Sequence, residues 1–168
     1  FLLLTSHGTD DHLLYVAMDP LPLDSIAPED LADVFAKAKI RYKVIVISAC
    51  YSGGFIDALK DDTTMIVTAA RADRSSFGCG SDSDITDFGR AFFVDGLNRN
   101  VTFTGAFAEA NKLIDGWETR DHDEHSLPQL VTTPRIEAQL KLWRSGIVIG
   151  APVPFVAPAG SDALTAAR

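Results

Sequence analysis

The chain has no apolar run approaching the roughly 18 residues of a spanning helix, so no transmembrane segment is expected in it. Only two of its 168 residues are cysteine, which excludes a disulfide-rich scaffold. Two cysteines allow one bridge or two free thiols, and free thiols are expected. Positive charge is scarce: 15 Lys and Arg against 23 Asp and Glu leave a formal net charge of −8. A binder of phosphate backbones carries a basic face, so no nucleic-acid partner is expected, and the charge argues against anionic membranes. Phe1–Thr5 is apolar but has neither the basic flank nor the cleavage site of a signal peptide. Gly78–Cys79–Gly80 lacks the Gly–Lys–Ser/Thr ending of a phosphate loop, and Asp82–Asp87 lacks the spacing of a calcium loop. No internal repeat is present. What remains is an ordinary globular composition, 46% hydrophobic and 23% charged. It is one domain's length, enough to bury a core without metal or disulfide staples.

The pattern alternates strand and helix. Phe1–Thr5 ends at Ser6–His7–Gly8 and suits a strand buried on both faces. Leu13–Ala17 suggests a short strand or hairpin arm. Ser25–Ile40 reads as a helix, with Pro28 in its first turn, Glu29 and Asp30 at the positive dipole end, and an apolar stripe of Ile26, Leu31, Val34, Phe35 and Ala38. Val44–Ser48 is β-branched without alternation, the mark of a central parallel strand. A helical stretch over Phe55–Leu59 and a third strand over Thr64–Thr68 follow. The order implies an α/β sheet with right-handed crossovers. Beyond a polar loop from Arg71 to Asp84, helices are expected over Asp87–Leu97, Thr104–Trp117 and Ile136–Trp143. Residues 1–150 form the domain, and 151–168 read as a Pro/Ala/Gly-rich tail.

Open α/β sheets bind ligands beyond the carboxyl ends of their strands. His7 and Cys50 each follow such an end. On adjacent strands they would form an imidazole–thiol pair, the makings of a cysteine nucleophile. A helix starting near Gly53 would bring its positive end to the sulfur. The N–H groups of Gly8 and Cys50 could hold the oxyanion of a tetrahedral intermediate. Gly53 and Gly54 would let the chain turn from strand into helix. Asp121–Glu124 with His122 and His125 read as a solvated loop, Asp10, Asp11 and Asp19 as solvated turns, and Trp117 and Trp143 as packing residues. Neither a cofactor nor a metal is called for.

Three segments carry a resemblance: Phe1–Gly8, Val44–Gly54, and Val67–Cys79 (Val–Thr–Ala–Ala–Arg–Ala–Asp–Arg–Ser–Ser–Phe–Gly–Cys). Together they resemble the bacterial branch of the legumain-like cysteine peptidases, peptidase family C13, which share the caspase-like fold. The resemblance runs to about Leu97. It implies a caspase-like three-layer sandwich with a mostly parallel sheet, and a cysteine endopeptidase acting on peptide or protein substrates through a thioester. His7 matches the catalytic histidine, Cys50 the nucleophile, and Gly8 the oxyanion-hole glycine. Ser75 falls at a serine of the substrate pocket, and Cys79 at a second cysteine that is not the nucleophile.

Two positions depart from the pattern. Ser48 stands where legumains carry an acid, and Arg90 follows Gly89 where they carry another. A guanidinium in the pocket would shift preference towards an acidic or neutral residue on the amino side of the scissile bond (P1). The resemblance also places a strand and helix upstream of the histidine strand. The segment is therefore expected to be a fragment, poorly soluble or inactive alone, with localisation signals upstream. Alternatives are a non-catalytic caspase-like scaffold, a transamidase using the same dyad, and a thiol-dependent hydrolase of non-peptide esters.

Overall fold

The computed structural model describes residues 1–80 and 83–156. Asp82 and the tail beyond residue 156 lie outside the described residues. Four strands form one sheet in the order β1 (Leu2–Thr5), β2 (Lys43–Ser48), β3 (Thr64–Thr68), β4 (Gln129–Val131). The first three are parallel, and β4 runs antiparallel to β3. The register sets Thr5 opposite Ser48 and Ile47 opposite Thr68.

The middle strands are buried on both faces, and alternation sends their side chains into two separate cores. Val44, Val46, Met65 and Val67 pack with Phe88, Ala91, Phe92, Ala106, Ala110, Ile114 and Ile136. Ile45, Ile47 and Ile66 pack on the other face with Leu14, Leu31, Phe55 and Leu59. The first core carries α3 (Asp87–Gly89), α5 (Phe103–Asp121) and α6 (Pro134–Ser145); the second carries α1 (Pro28–Ala38) and α2 (Ile56–Leu59). Helices thus cover both faces of a mostly parallel sheet, a caspase-like α/β sandwich.

Local chemistry explains the helices. Pro28 opens α1, Asp30 Oδ2 accepts the Ala27 N–H at 3.0 Å, and Lys39 ends the helix in a left-handed conformation. The helix is shorter than the sequence suggests. Ile26 precedes it, pairing with Leu14, and Val34 is exposed. From α3 the chain continues through a π-helical segment, Arg90–Gly96, into α4 (Leu97–Arg99). Thr86 caps this run by accepting the Gly89 N–H at 2.9 Å, as Thr102 caps α5 by accepting that of Gly105 at 3.0 Å.

Other expectations are corrected. β1 is half-buried, with Leu3 exposed, because it lies at the edge of the four-strand sheet. The Leu13–Ala17 segment forms only isolated bridges, through Leu14 to Gly8 and Ile26. Trp143 is largely exposed rather than packed. β4 falls within a stretch that the sequence left unassigned, since three residues are too few for a period to show.

Candidate active site

Strand register brings His7 and Cys50 together. Each lies two residues past the end of its strand, and those ends are paired, so the segments that carry them leave the sheet side by side. Such strands lie about 4.8 Å apart. The backbones stay close beyond the sheet: a Cβ on Gly8 would collide with the carbonyl oxygen of Cys50. Only glycine allows this approach. Among the described residues, neither the Gly8 N–H nor the Cys50 N–H donates to a backbone carbonyl. The His7 carbonyl accepts the Tyr15 N–H at 3.0 Å, tying the histidine loop to its return segment.

The turn after Cys50 differs from the expected one. Tyr51, not a glycine, takes the left-handed conformation, with φ of 55°. Gly53 and Gly54 serve close packing instead. A Cβ on Gly53 would stand 2.5 Å from the Ala72 nitrogen, and one on Gly54 would collide with the His12 ring. The chain then makes a single 3₁₀ turn, Ser52–Phe55, before the four-residue α2, too short for the expected dipole at the sulfur. A loop backbone meets the sulfur instead. The Ser76 N–H donates to Cys50 Sγ at 3.3 Å, and the Cys50 thiol donates to the Ser76 carbonyl at 3.4 Å. Both cysteines are free, Cys50 half-buried and Cys79 exposed.

That loop is fastened on three sides. The Tyr51 N–H donates to the Arg74 carbonyl at 2.8 Å, the Arg71 N–H to the Ser126 carbonyl at 2.9 Å, and a His12 ring nitrogen bonds the Ala72 carbonyl at 3.0 Å. Ser126 is held in turn by the buried Glu118, whose two carboxylate oxygens each accept its N–H at 3.1 Å. Burial pushes the Glu118 carboxyl up, against the bonds from Ser126 and the nearby His125. His125 bonds Asp115 at 2.9 Å, a partnership the solvated-loop reading missed.

A cleft of about 380 Å³ opens beside His7, with Leu3, Ser48, Cys79, Thr86 and Phe93 among its walls. Ser48 is buried, and its hydroxyl lies 2.9 Å from that of Thr86. Two residues that the resemblance puts in the substrate pocket, Ser75 and Arg90, are not among the residues lining this cleft, and neither is Cys50. Ser75 sits in the loop beside Ser76, outside the cleft walls. Arg90 lines a separate, smaller cavity with Asp87, Trp117, Arg120 and Asp121. Thr86 is among the wall residues that sequence reasoning missed, with Leu3 and Phe93; its only local signal is a helix cap ahead of Asp87.

The profile of the Peptidase C13 family matches residues 1–137. The chain belongs to the peptidase C13 family. This C13 chain is therefore a member of a cysteine-peptidase family, and the family implies a peptide or protein substrate. No curated protein sequence matches the C13 chain.

Proposed function

We propose that this C13 domain is a cysteine endopeptidase in which Cys50 is the nucleophile and His7 the general acid. The observation that carries the reading is the paired register of the two residues past the ends of β1 and β2, with Gly8 against the Cys50 peptide. The Cys50 thiolate attacks the scissile carbonyl, and the N–H groups of Gly8 and Cys50 stabilise the oxyanion. His7 protonates the leaving amine. Water then hydrolyses the thioester, releasing the acid and restoring the thiol. The P1 side chain enters the cleft beside Ser48. Since Arg90 lines another cavity, this reading assigns it no pairing with an acidic P1 group.

The test is covalent labelling of the intact protein by peptidyl electrophiles carrying Asn, Asp or Ala at P1. Labelling at Cys50 should vanish in Cys50→Ala, and His7→Ala should slow peptide turnover by about 10²-fold or more. Unchanged labelling and turnover in Cys50→Ala would overturn the assignment.

A further inference from the structure

We propose that Cys50 and Cys79 are a reversible redox pair, in which Cys79 resolves an oxidised Cys50 into an intramolecular disulfide. The chain has two cysteines, both free, and the loop that meets the Cys50 sulfur at Ser76 runs on to Cys79. Cys79 stands in the wall of the cleft with His7 and Ser48. The Cys50 sulfur is bonded to the backbone of Ser76, three residues earlier in the same loop. The chain returns at Gly78, in a left-handed conformation with φ of 75°, one residue before Cys79.

The loop also permits closure. Glycines flank Cys79 on both sides, and a Cβ at Gly80 would meet no heavy atom within 4 Å. A disulfide needs Cα atoms about 4.4–6.8 Å apart, and the loop that carries Cys79 already holds the Cys50 sulfur through the backbone of Ser76. Partial burial of the sulfur, and next the Cys50 sulfur, push the Cys79 thiol up, although the residue as a whole is exposed.

The oxidant is a hydroperoxide. The Cys50 thiolate attacks one peroxide oxygen, the O–O bond breaks, and the products are a sulfenic acid and the departing alkoxide, which is hydroxide when the oxidant is hydrogen peroxide. The Cys79 sulfur then attacks the Cys50 sulfur. The S–S bond forms, the S–O bond breaks, and the hydroxyl leaves as water with the Cys79 proton. A dithiol reductant returns the two electrons and restores both thiols. The bond removes the sulfur that the proposed peptidase uses, and it spares that sulfur from irreversible oxidation to sulfinic acid.

Loss of activity rests on the peptidase reading; the crosslink does not, so the two are read separately. The intact protein is exposed to hydrogen peroxide, alkylated without reduction, digested and mapped by mass spectrometry. A Cys50–Cys79 crosslinked peptide is expected, lost on adding dithiothreitol. Labelling of Cys50 by a peptidyl electrophile should disappear and return in parallel. In Cys79→Ser, Cys50 should advance to sulfinic acid and labelling should not return. Two results would overturn the proposal: crosslinks only between separate chains, or Cys50 reaching sulfinic acid equally fast in the wild type and Cys79→Ser. A crosslink in a protein without peptidase activity would leave the pair standing and the peptidase reading refuted.

Discussion

A methyl group added at Gly8 would collide with the carbonyl oxygen of Cys50, and a rigid peptide has no rotamer with which to yield. Gly8→Ala must therefore part the segments that follow β1 and β2. Overpacking of this kind costs about 1–3 kcal/mol. The expected outcome is that loss in denaturant unfolding, with a fall in the rate of Cys50 labelling. Gly116→Ala is the control. It lies in α5 with no heavy atom within 4 Å of the added carbon, and it should gain about 0.5–1 kcal/mol from helix propensity. Equal stability of Gly8→Ala and the wild type would refute the contact. The sequence showed that a glycine beside His7 leaves an N–H unobstructed, because that is a local property. It did not show the Cys50 carbonyl pressed against it, because that depends on strand register. Gly53 and Gly54 were misread for the same reason: their constraints come from Ala72 and His12, distant in sequence.

Among the elements, β2 is the most legible, since Val44–Ile47 is β-branched throughout and both faces are buried. The π-helical segment is the least, because Phe88, Ala91 and Phe92 point to the core on an α-helical spacing as well. The turn from α2 into β3 shows how one side chain sets an element's start. Asp61 accepts from the Thr63 N–H at 2.7 Å, from the hydroxyls of Thr63 and Thr64 at 2.9 and 2.8 Å, and from Lys43 Nζ at 2.9 Å. Burial pushes its carboxyl up, but the bonds from Lys43, Thr64 and Thr63 outweigh burial and hold the pKa at about 2, below the ordinary 3.8. A carboxyl depressed on folding contributes stability that is complete above its unfolded pKa and is lost as pH falls through its folded one. The window is pH 4 to 2, and Asp73, also held at about 2 by Arg71, shares it. Asp61→Asn should lower the melting temperature at neutral pH and flatten its decline between pH 4 and 2. A decline as steep as that of the wild type would remove Asp61 from the account.

At the scale of the whole molecule, the proposed nucleophile depends on a helix on the far side of its own loop. α5 holds Glu118, Glu118 holds Ser126, Ser126 accepts from Arg71, and the loop from Arg71 bonds Tyr51 through Arg74 and the Cys50 sulfur through Ser76. Sequence periodicity marks the core side of α5 but not this relay, since a buried glutamate reads as a break in an apolar stripe. Removing the carboxylate strands the buried Ser126 N–H, a penalty of about 1–3 kcal/mol. Glu118→Ala should lower the melting temperature and slow Cys50 labelling, although Glu118 lines none of the cleft. Glu118→Gln keeps an acceptor and should preserve most of the labelling rate. The two variants also differ from the wild type in pH dependence. A carboxyl raised on folding favours the protonated form in the native state, so its contribution falls as pH rises from the ordinary carboxylate range through the raised value. Asp115 and His125 face the same group. Melting temperature against pH should therefore lose part of its decline in that interval when the carboxyl is replaced by an amide. If Glu118→Ala leaves both the melting temperature and the labelling rate unchanged, the relay carries no energy from α5 to Cys50.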